Sequence, residues 1–283
     1  TVYDSAVFHQ MTMDNGAFIE ETGSGGGGLW KETAELQSIA KTAPVIGNKQ
    51  TVYPVKFTNS LEISSEYFDD NMHDAYQRQA KQFGRNARAT QETTGFGLYR
   101  GAFTTTKVAS GASLISASHT TLTGGTVSNL VSGALSNTTL DIARTSLVEQ
   151  KSEEGIIMNL QASCLLVPSA LYTKACQIVD SELIVGATEN GTITDVNSKN
   201  MYSSKYGIYV KQTPYLGAAA GGSDTAWFLL SPDHTITRYE RSKISTVLVD
   251  AKFSDNDKYV YKGKFRENYS ASSYTGVAGA TGL

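Results

Sequence analysis

Residues 62–91 read EISSEYFDDNMHDAYQRQAKQFGRNARATQ, and the organisation of the chain is worked out from them. Phe68, Met72, Tyr76, Ala80, Phe83 and Ala87 recur every three or four positions, the spacing of one apolar helix face. Ser64 or Ser65 can cap the start, and Glu66, Asp69 and Asp70 sit near the positive end of the dipole. The spacing predicts one helix over about 67–91, roughly 37 Å long at 1.5 Å per residue. Arg78, Lys81, Arg85 and Arg88 share a second, basic face. That face is either a solvated flank with ion pairs or a partner-binding stripe.

N-terminal to this helix, residues 32–65 read as an excursion of two strands. In TVYPVKF (51–57), Tyr53, Val55 and Phe57 alternate with Val52, Pro54 and Lys56. Pro54 cannot donate a ladder hydrogen bond and belongs at an edge, and Gly47-Asn48 supplies the turn before it. A lone two-stranded ribbon is marginal in water, so this one is expected to lie on another surface. Residues 1–31 read as an arm. Asp4, Asp14, Glu20 and Glu21 precede the first basic residue, Lys31, and the glycine-rich run Gly23 to Gly28 suits neither helix nor strand interior. Val7, Phe8, Phe18 and Ile19 are too many apolar residues for a solvated tail. No basic residue and apolar core open the chain as a secretory signal would.

C-terminal to the helix the pattern is mixed α and β. Thr138 to Gln150 predicts a helix with Leu140, Ala143 and Leu147 inward, and Gly155 to Val167 a buried strand. Pro168 suits a first helical position, opening a helix with Leu171, Tyr172, Ala175, Ile178 and Val179 inward. Trp227–Leu230 and Ile244–Val249 read as strands, and Lys258 to Phe265 alternates with Tyr259, Tyr261 and Gly263 on one face.

Composition bounds the function. Of 283 residues 18% are charged, against about 25% in an average domain, and the net charge is −3. With 40% hydrophobic residues the chain is not disordered. It has no apolar run long enough to span a membrane, and it lacks the basic balance of a dedicated nucleic-acid binder. Cys164 and Cys176 read as small buried hydrophobes rather than a disulfide framework. The search for catalysis is negative. His9, His73, His119 and His234 form no zinc spacing, and no serine sits in G-x-S-x-G. The glycine run satisfies G-x-G-x-x-G only formally, without a preceding strand. Asp195-Val196-Asn197 opens like a calcium loop, but Asn200 and Tyr206 occupy the places of its glycine and glutamate. His119, between Ser118 and Thr120, reads as a histidine satisfied by hydroxyls. No catalytic residue, cofactor or metal ligand is assigned.

Taken in order, four stretches resemble the major capsid protein of tailed double-stranded DNA phages, the Hong Kong 97-type shell fold, near its Mu-like head subunits. They are residues 62–91 quoted above, SLISASHTTLTGGTVSN (113–129), GIIMNLQASCLLVPSALYTKACQIVDSE (155–182), and WFLLSPDH (227–234) with FSDNDKYVYKGKFRENYSASSYTGVAGATG (253–282). The resemblance implies an α+β architecture: an N-terminal arm (1–31), an extended E-loop (32–65), a peripheral domain (66–130 and 254–283) with a long spine helix, and an axial domain (131–253). It implies a structural, non-enzymatic subunit that assembles with itself as hexamers and pentamers into an icosahedral virion head, put together in the host cytoplasm. Portal, scaffolding or decoration proteins would be further partners. Double-stranded DNA would be enclosed non-specifically, and no membrane is implied. Arm and ribbon would lie on neighbouring subunits. The residues expected at such contacts are Arg78, Lys81, Arg85 and Arg88 facing Asp4, Asp14, Glu20 and Glu21, with Tyr53, Val55 and Phe57 on the ribbon; enclosed DNA is the rival partner for the basic face. One branch of the family joins subunits by Lys–Asn isopeptide bonds. Lys49 and Lys56 lie on the ribbon, but no aligned acceptor and catalytic Glu accompany them, and no crosslink is expected. An encapsulin-like compartment shell and a hydrolase with a scattered site are the alternative readings.

Overall fold

The computed structural model describes residues 1–14, 16–25, 28–39, 41, 45–66, 73–184, 188–189, 192–193, 198–202, 204–249 and 258–283. In chain order its elements are β1 (His9–Thr12), β2 (Ile19–Gly25), β3 (Val45–Val52), β4 (Val55–Ser64) and helix α1 (His73–Arg100). There follow β5 (His119–Thr120), β6 (Thr126–Val127), β7 (Leu130–Val131), α2 (Asn137–Val148), β8 (Cys164–Pro168) and α3 (Tyr172–Val179). The short strands β9 (Leu183–Ile184), β10 (Thr188–Glu189), β11 (Thr192–Ile193) and β12 (Ser198–Lys199) lead into β13 (Tyr209–Thr213) and β14 (Trp227–Leu230). The chain closes with β15 (Ile236–Val249), β16 (Lys258–Ala271) and β17 (Val277–Ala280).

Two sheets carry the architecture. The first has the order β13-β8-β14-β17-β7. CLLVP in β8 and WFLL in β14 are buried at every residue, as strands covered on both faces must be. Their alternation divides them between two cores. Leu165, Val167, Trp227 and Leu229 meet Leu140, Ala143 and Leu147 of α2 and Ala175 and Val179 of α3. Cys164, Leu166, Phe228 and Leu230 meet Phe96, Leu98 and Tyr99 of α1 together with Val2, Val7 and Phe8. α2 begins where the sequence places it, because Ser136 and Thr139 close a reciprocal capping box.

The second sheet has the order β1-β15-β16-β4. β15 and β16 form a hairpin with arms of 14 residues each, about 45 Å long at 3.3 Å per residue. α1 lies against its odd-numbered face. A Cβ on Gly263 would meet the Phe83 ring at 2.9 Å, so glycine there lets the helix settle onto the strand. Phe57 of β4 stacks on Phe265 of β16 at 4.9 Å.

Several expectations are corrected. α1 runs nine residues past Gln91, to Arg100. The extension ETTGFGLYR has poor helix propensity, but Phe96, Leu98 and Tyr99 are buried, and tertiary burial prevails. Residues 67–72, which include Phe68 and Met72, lie outside the described residues. The first thirteen residues, read as part of an arm for neighbours, fold into this chain's own core: β1 pairs in parallel with β15, and Val2 and Phe8 are fully buried. The ribbon is composed differently from the expected 32–65 pair. β3 pairs with β2 and β4 with β16, the strands being separated at Tyr53-Pro54. Gly47-Asn48 lies within β3 rather than in a turn, and β2 continues through Ser24 and Gly25 after a register shift at Thr22/Ser24. The sheets also cross the expected boundary at 253/254, since β15 joins the long hairpin while β17 joins the five-stranded sheet.

Within 155–167 only Cys164 onward is strand. Gly155 and Asn159 take positive φ (81° and 51°), which breaks the run. Pro168 ends β8, a 3₁₀ turn precedes α3, and Tyr172 is exposed rather than inward. Cys176 is half-buried, and Cys164 alone is fully buried, which pushes its thiol up to about 12. His119 is buried as expected, but its partners are Asn129 Oδ1 (3.0 Å) and the Tyr274 ring rather than hydroxyls. Asp195-Val196-Asn197 lies outside the described residues.

Candidate functional site

Two exposed surfaces stand out, and each grows from a firmly anchored base. β2 and β3 form an antiparallel ribbon registered from Ile19↔Val52 to Gly25↔Val45. Its base is held by Met13, Val52 and Tyr239, with Ile19 packed against them. Where the ribbon leaves the body, the Glu153 carboxylate lies against Gly23 and Gly47, so close that a Cβ on either glycine would crowd it. Burial raises the Glu153 pKa. The Gly28 N–H donates to the Glu154 carboxylate at 3.1 Å. Beyond this base the loop turns its apolar side chains to solvent. Trp30 and Leu36 are fully exposed, Leu29 is 76% and Ile39 81% exposed, and Ile46 on the ribbon is exposed as well. Exposed apolar groups gathered on one projecting loop mark a contact surface. The sequence carried these residues in plain view, but no periodicity distinguishes them from core.

The second surface is the outer side of α1. By 3.6-residue periodicity Arg78, Lys81, Arg85 and Arg88 lie opposite Phe83 and Ala87, the residues turned to the sheet. The four predicted arm carboxylates do not reach them within the chain. Asp4 pairs with Lys211 at 2.7 Å; burial opposes its ionisation, but Lys211 and the Ala6 N–H outweigh this and lower its pKa. Glu20 pairs with Lys49 at 3.2 Å across the ribbon. Glu21 lies beside the Tyr239 hydroxyl, and burial together with that carboxylate drives the hydroxyl's pKa well up. Asp14 is exposed. Of the helix cations, Arg88 is turned inward to the N-terminal segment, 3.7 Å over the Tyr3 ring and 3.7 Å from Glu92.

That contact opens into a buried polar knot which the sequence did not announce. Arg238, on β15, covers the Tyr3 ring at 4.2 Å and pairs with Glu267 (2.7 Å) and Glu240 (2.8 Å). It also donates to Gln10 Oε1 at 3.0 Å. Gln91 donates to Glu267 at 3.0 Å, Tyr269 donates to the same carboxylate, and the Val2 N–H donates to Glu92. Burial disfavours the Arg238 charge, but Glu267 more than offsets this and its pKa is raised. The residues come from positions 2 to 269, so no local motif could reveal them. The knot ties N-terminal segment, α1 and long hairpin into one body.

The remaining predicted contact residues are dispersed. Tyr53 is exposed and packs on Phe18 at 5.6 Å, with its carbonyl accepting from Asn268 at 2.7 Å. Val55 is exposed, whereas Phe57 is occupied by Phe265. His9 and His234 meet with ring centroids 4.3 Å apart. Burial first, and His9 beside it, hold His234 down to about 4. Among the described residues no three His, Cys, Asp or Glu gather to hold a metal ion, and no helix is long and apolar enough to cross a membrane.

Comparison with known proteins agrees with this architecture. A sequence profile described as "Phage capsid protein" matches residues 48–278. No curated protein sequence matches the chain. Among solved structures, the capsid of cyanophage P-SCSP1u is similar at TM-score 0.63 and 13% identity, over 98% of this chain and 86% of that one. The mature capsid of bacteriophage PhiM1 is similar at TM-score 0.61 and 11% identity, over 97% and 85%. The SrpI encapsulin of Synechococcus elongatus PCC 7942 shares the fold at TM-score 0.57 and 10% identity, over 98% and 85%. At these identities structural likeness shows the Hong Kong 97-type fold, which shells of both kinds use; the profile, spanning well over half of the sequence, separates them. The chain therefore belongs to the phage capsid protein family, and it is a structural protein of the virion's capsid.

Proposed function

We propose that this chain is the major subunit of the head, assembling with itself as hexamers and pentamers into an icosahedral shell around double-stranded DNA. The narrower placement with Mu-like head subunits rests on the four quoted stretches. The five-stranded sheet with α2 and α3 serves as the axial domain, and the long hairpin with α1 as the peripheral domain. The projecting ribbon with its loop is the E-loop, which seats on a neighbouring copy; portal, scaffolding and decoration proteins would complete the particle. The subunit works by contact rather than turnover.

The observation that carries this reading is the anchored loop with Trp30 and Leu36 fully exposed. Burying such side chains contributes about 1.5–3 kcal/mol each, available only when another molecule covers them. Negative-stain microscopy of the purified protein should show closed shells. Trp30→Ser with Leu36→Ser should keep the thermal unfolding of the subunit and abolish the shells, because neither side chain supports the subunit's own fold. Shells of normal yield from that variant would remove the loop from the assembly contact.

A further inference from the structure

We propose that the outer face of α1 is the surface on which the capsid wall meets the phosphates of the enclosed duplex. The inference rests on the capsid reading above and adds a partner and a place. From Ala75 to Gln91 the helix has four cations, Arg78, Lys81, Arg85 and Arg88, and no carboxylate; Asp74 and Glu92 close the same face at its two ends, and Arg88 is turned to Glu92 and Tyr3. At 100° per residue the four fall within about 80° of arc, and they span about 15 Å along the axis. Lys81 and Arg85 are exposed, and among the described residues neither makes an ion pair. They stand one turn apart, where like charges repel, so an external anion placed between them is favoured. Gln77 and Gln82 flank the stripe, and amides with Lys and Arg are groups that hold phosphate oxygens without reading sequence. A duplex offers about one negative charge per 1.7 Å of its axis, far more than the stripe needs to find register.

A neighbouring copy suits this face less well. Of the four N-terminal carboxylates, Asp4 is engaged by Lys211 and Glu20 by Lys49, and Glu21 lies beside the Tyr239 hydroxyl, which leaves Asp14 exposed. The stripe also lacks the aromatic or aliphatic anchor on which a protein interface is centred. The opposite side of the same slab makes the contrast. There Lys56, Thr58 and Ser60 of β4 stand in register with Arg266, Lys264 and Lys262 of β16, another cationic surface. It is interrupted by exposed Val247 and ends on the Lys258–Glu62 pair, a mixture fitted to a protein neighbour. Of the two basic faces, the helix stripe is the one with no exposed apolar side chain among its cations.

The test uses the full-length protein carrying Trp30→Ser and Leu36→Ser, so that the face stays open to solvent, and a 30-base-pair duplex of mixed sequence, with binding followed by fluorescence anisotropy over a range of salt concentrations. Each lost phosphate contact lowers the slope of log K against log salt by about 0.9. Lys81→Gln with Arg85→Gln should therefore lower it by about 2, with helicity unchanged by circular dichroism. Lys262→Gln with Lys264→Gln, on the opposite face, should leave it as it was. An unchanged slope in the helix variant, or an equal loss in both variants, would overturn the proposal. Shell formation is scored separately in micrographs. Wild-type shells together with an unchanged helix-variant slope overturn this proposal and leave the capsid reading standing; failure of the wild-type chain to form shells overturns both.

Discussion

Single residues of one type do opposite work along α1. Gly84 is exposed, and nothing lies within 4 Å of where its Cβ would stand. Gly84→Ala should therefore recover the helix propensity glycine forfeits, about 1 kcal/mol, and raise the melting temperature. Gly95 is the converse, because a Cβ there would collide with Val2 and come within 2.8 Å of the Tyr269 ring. Gly95→Ala should lower stability by about 1–3 kcal/mol; equal melting temperatures for the two variants would show that the N-terminal segment does not bear on the helix. Acid sensitivity also has a residue-scale origin. The folded chain keeps His234 neutral down to about pH 4, whereas an unfolded chain protonates histidine near 6.5. Between those values the unfolded state holds the extra proton, so stability falls as pH drops through the window and levels off below it. The effect, absent above about 6.5, grows to about 3 kcal/mol at the bottom of the window. His234 Nδ1 accepts the Ile236 N–H at 3.2 Å, a bond asparagine can replace, so His234→Asn should flatten the melting temperature between pH 6.5 and 4. A slope that survives the substitution would place the acid sensitivity elsewhere.

At the scale of elements, legibility depended on how local the cause was. α2 was readable because its cap, its periodicity and its inward residues Leu140, Ala143 and Leu147 all lie within 136–148. Strand β16 was visible as an alternating run and β4 only through the last residues of TVYPVKF, but their mutual register, Lys258↔Ser64 to Glu267↔Val55, is a fact about residues some two hundred positions apart. Alternation states which side chains share a face and not which strand lies alongside, so β3 and β4 were joined in one ribbon when each has another partner. The contact surfaces divided in the same way: the basic stripe follows from helical spacing, whereas the exposed loop needed the fold to show which apolar residues were left outside. The polar knot gives the sharpest element-scale expectation. Arg238→Met leaves Glu267 and Glu240 facing each other without their cation, and breaking one side of a buried pair costs about 3–5 kcal/mol. Hydrogen exchange should show residues 1–13 opening with the change. Protection there equal to wild type would mean that the core contacts of Val2, Val7 and Phe8 hold the segment unaided.

For the whole molecule, the low charge density acquires a distribution. Carboxylates such as Asp4, Glu20 and Glu267 are occupied by cations within the chain, while Lys81 and Arg85 on α1 and Lys56, Lys262 and Lys264 on the sheet make no ion pair among the described residues. A net charge of −3 thus conceals cationic surfaces on a body whose other exposed areas are rich in hydroxyl, amide and apolar groups. The placement of β1 has one more consequence, for the order of folding. His9 pairs with Thr237 and Thr12 with Glu240, and Phe8 packs on Tyr269 at 5.3 Å, so segments more than two hundred positions apart must meet before this sheet is complete. Contacts so distant along the chain form late and slowly. The projecting loop gains its rigid base only once these distant segments have met, so closure of the body precedes presentation of the loop.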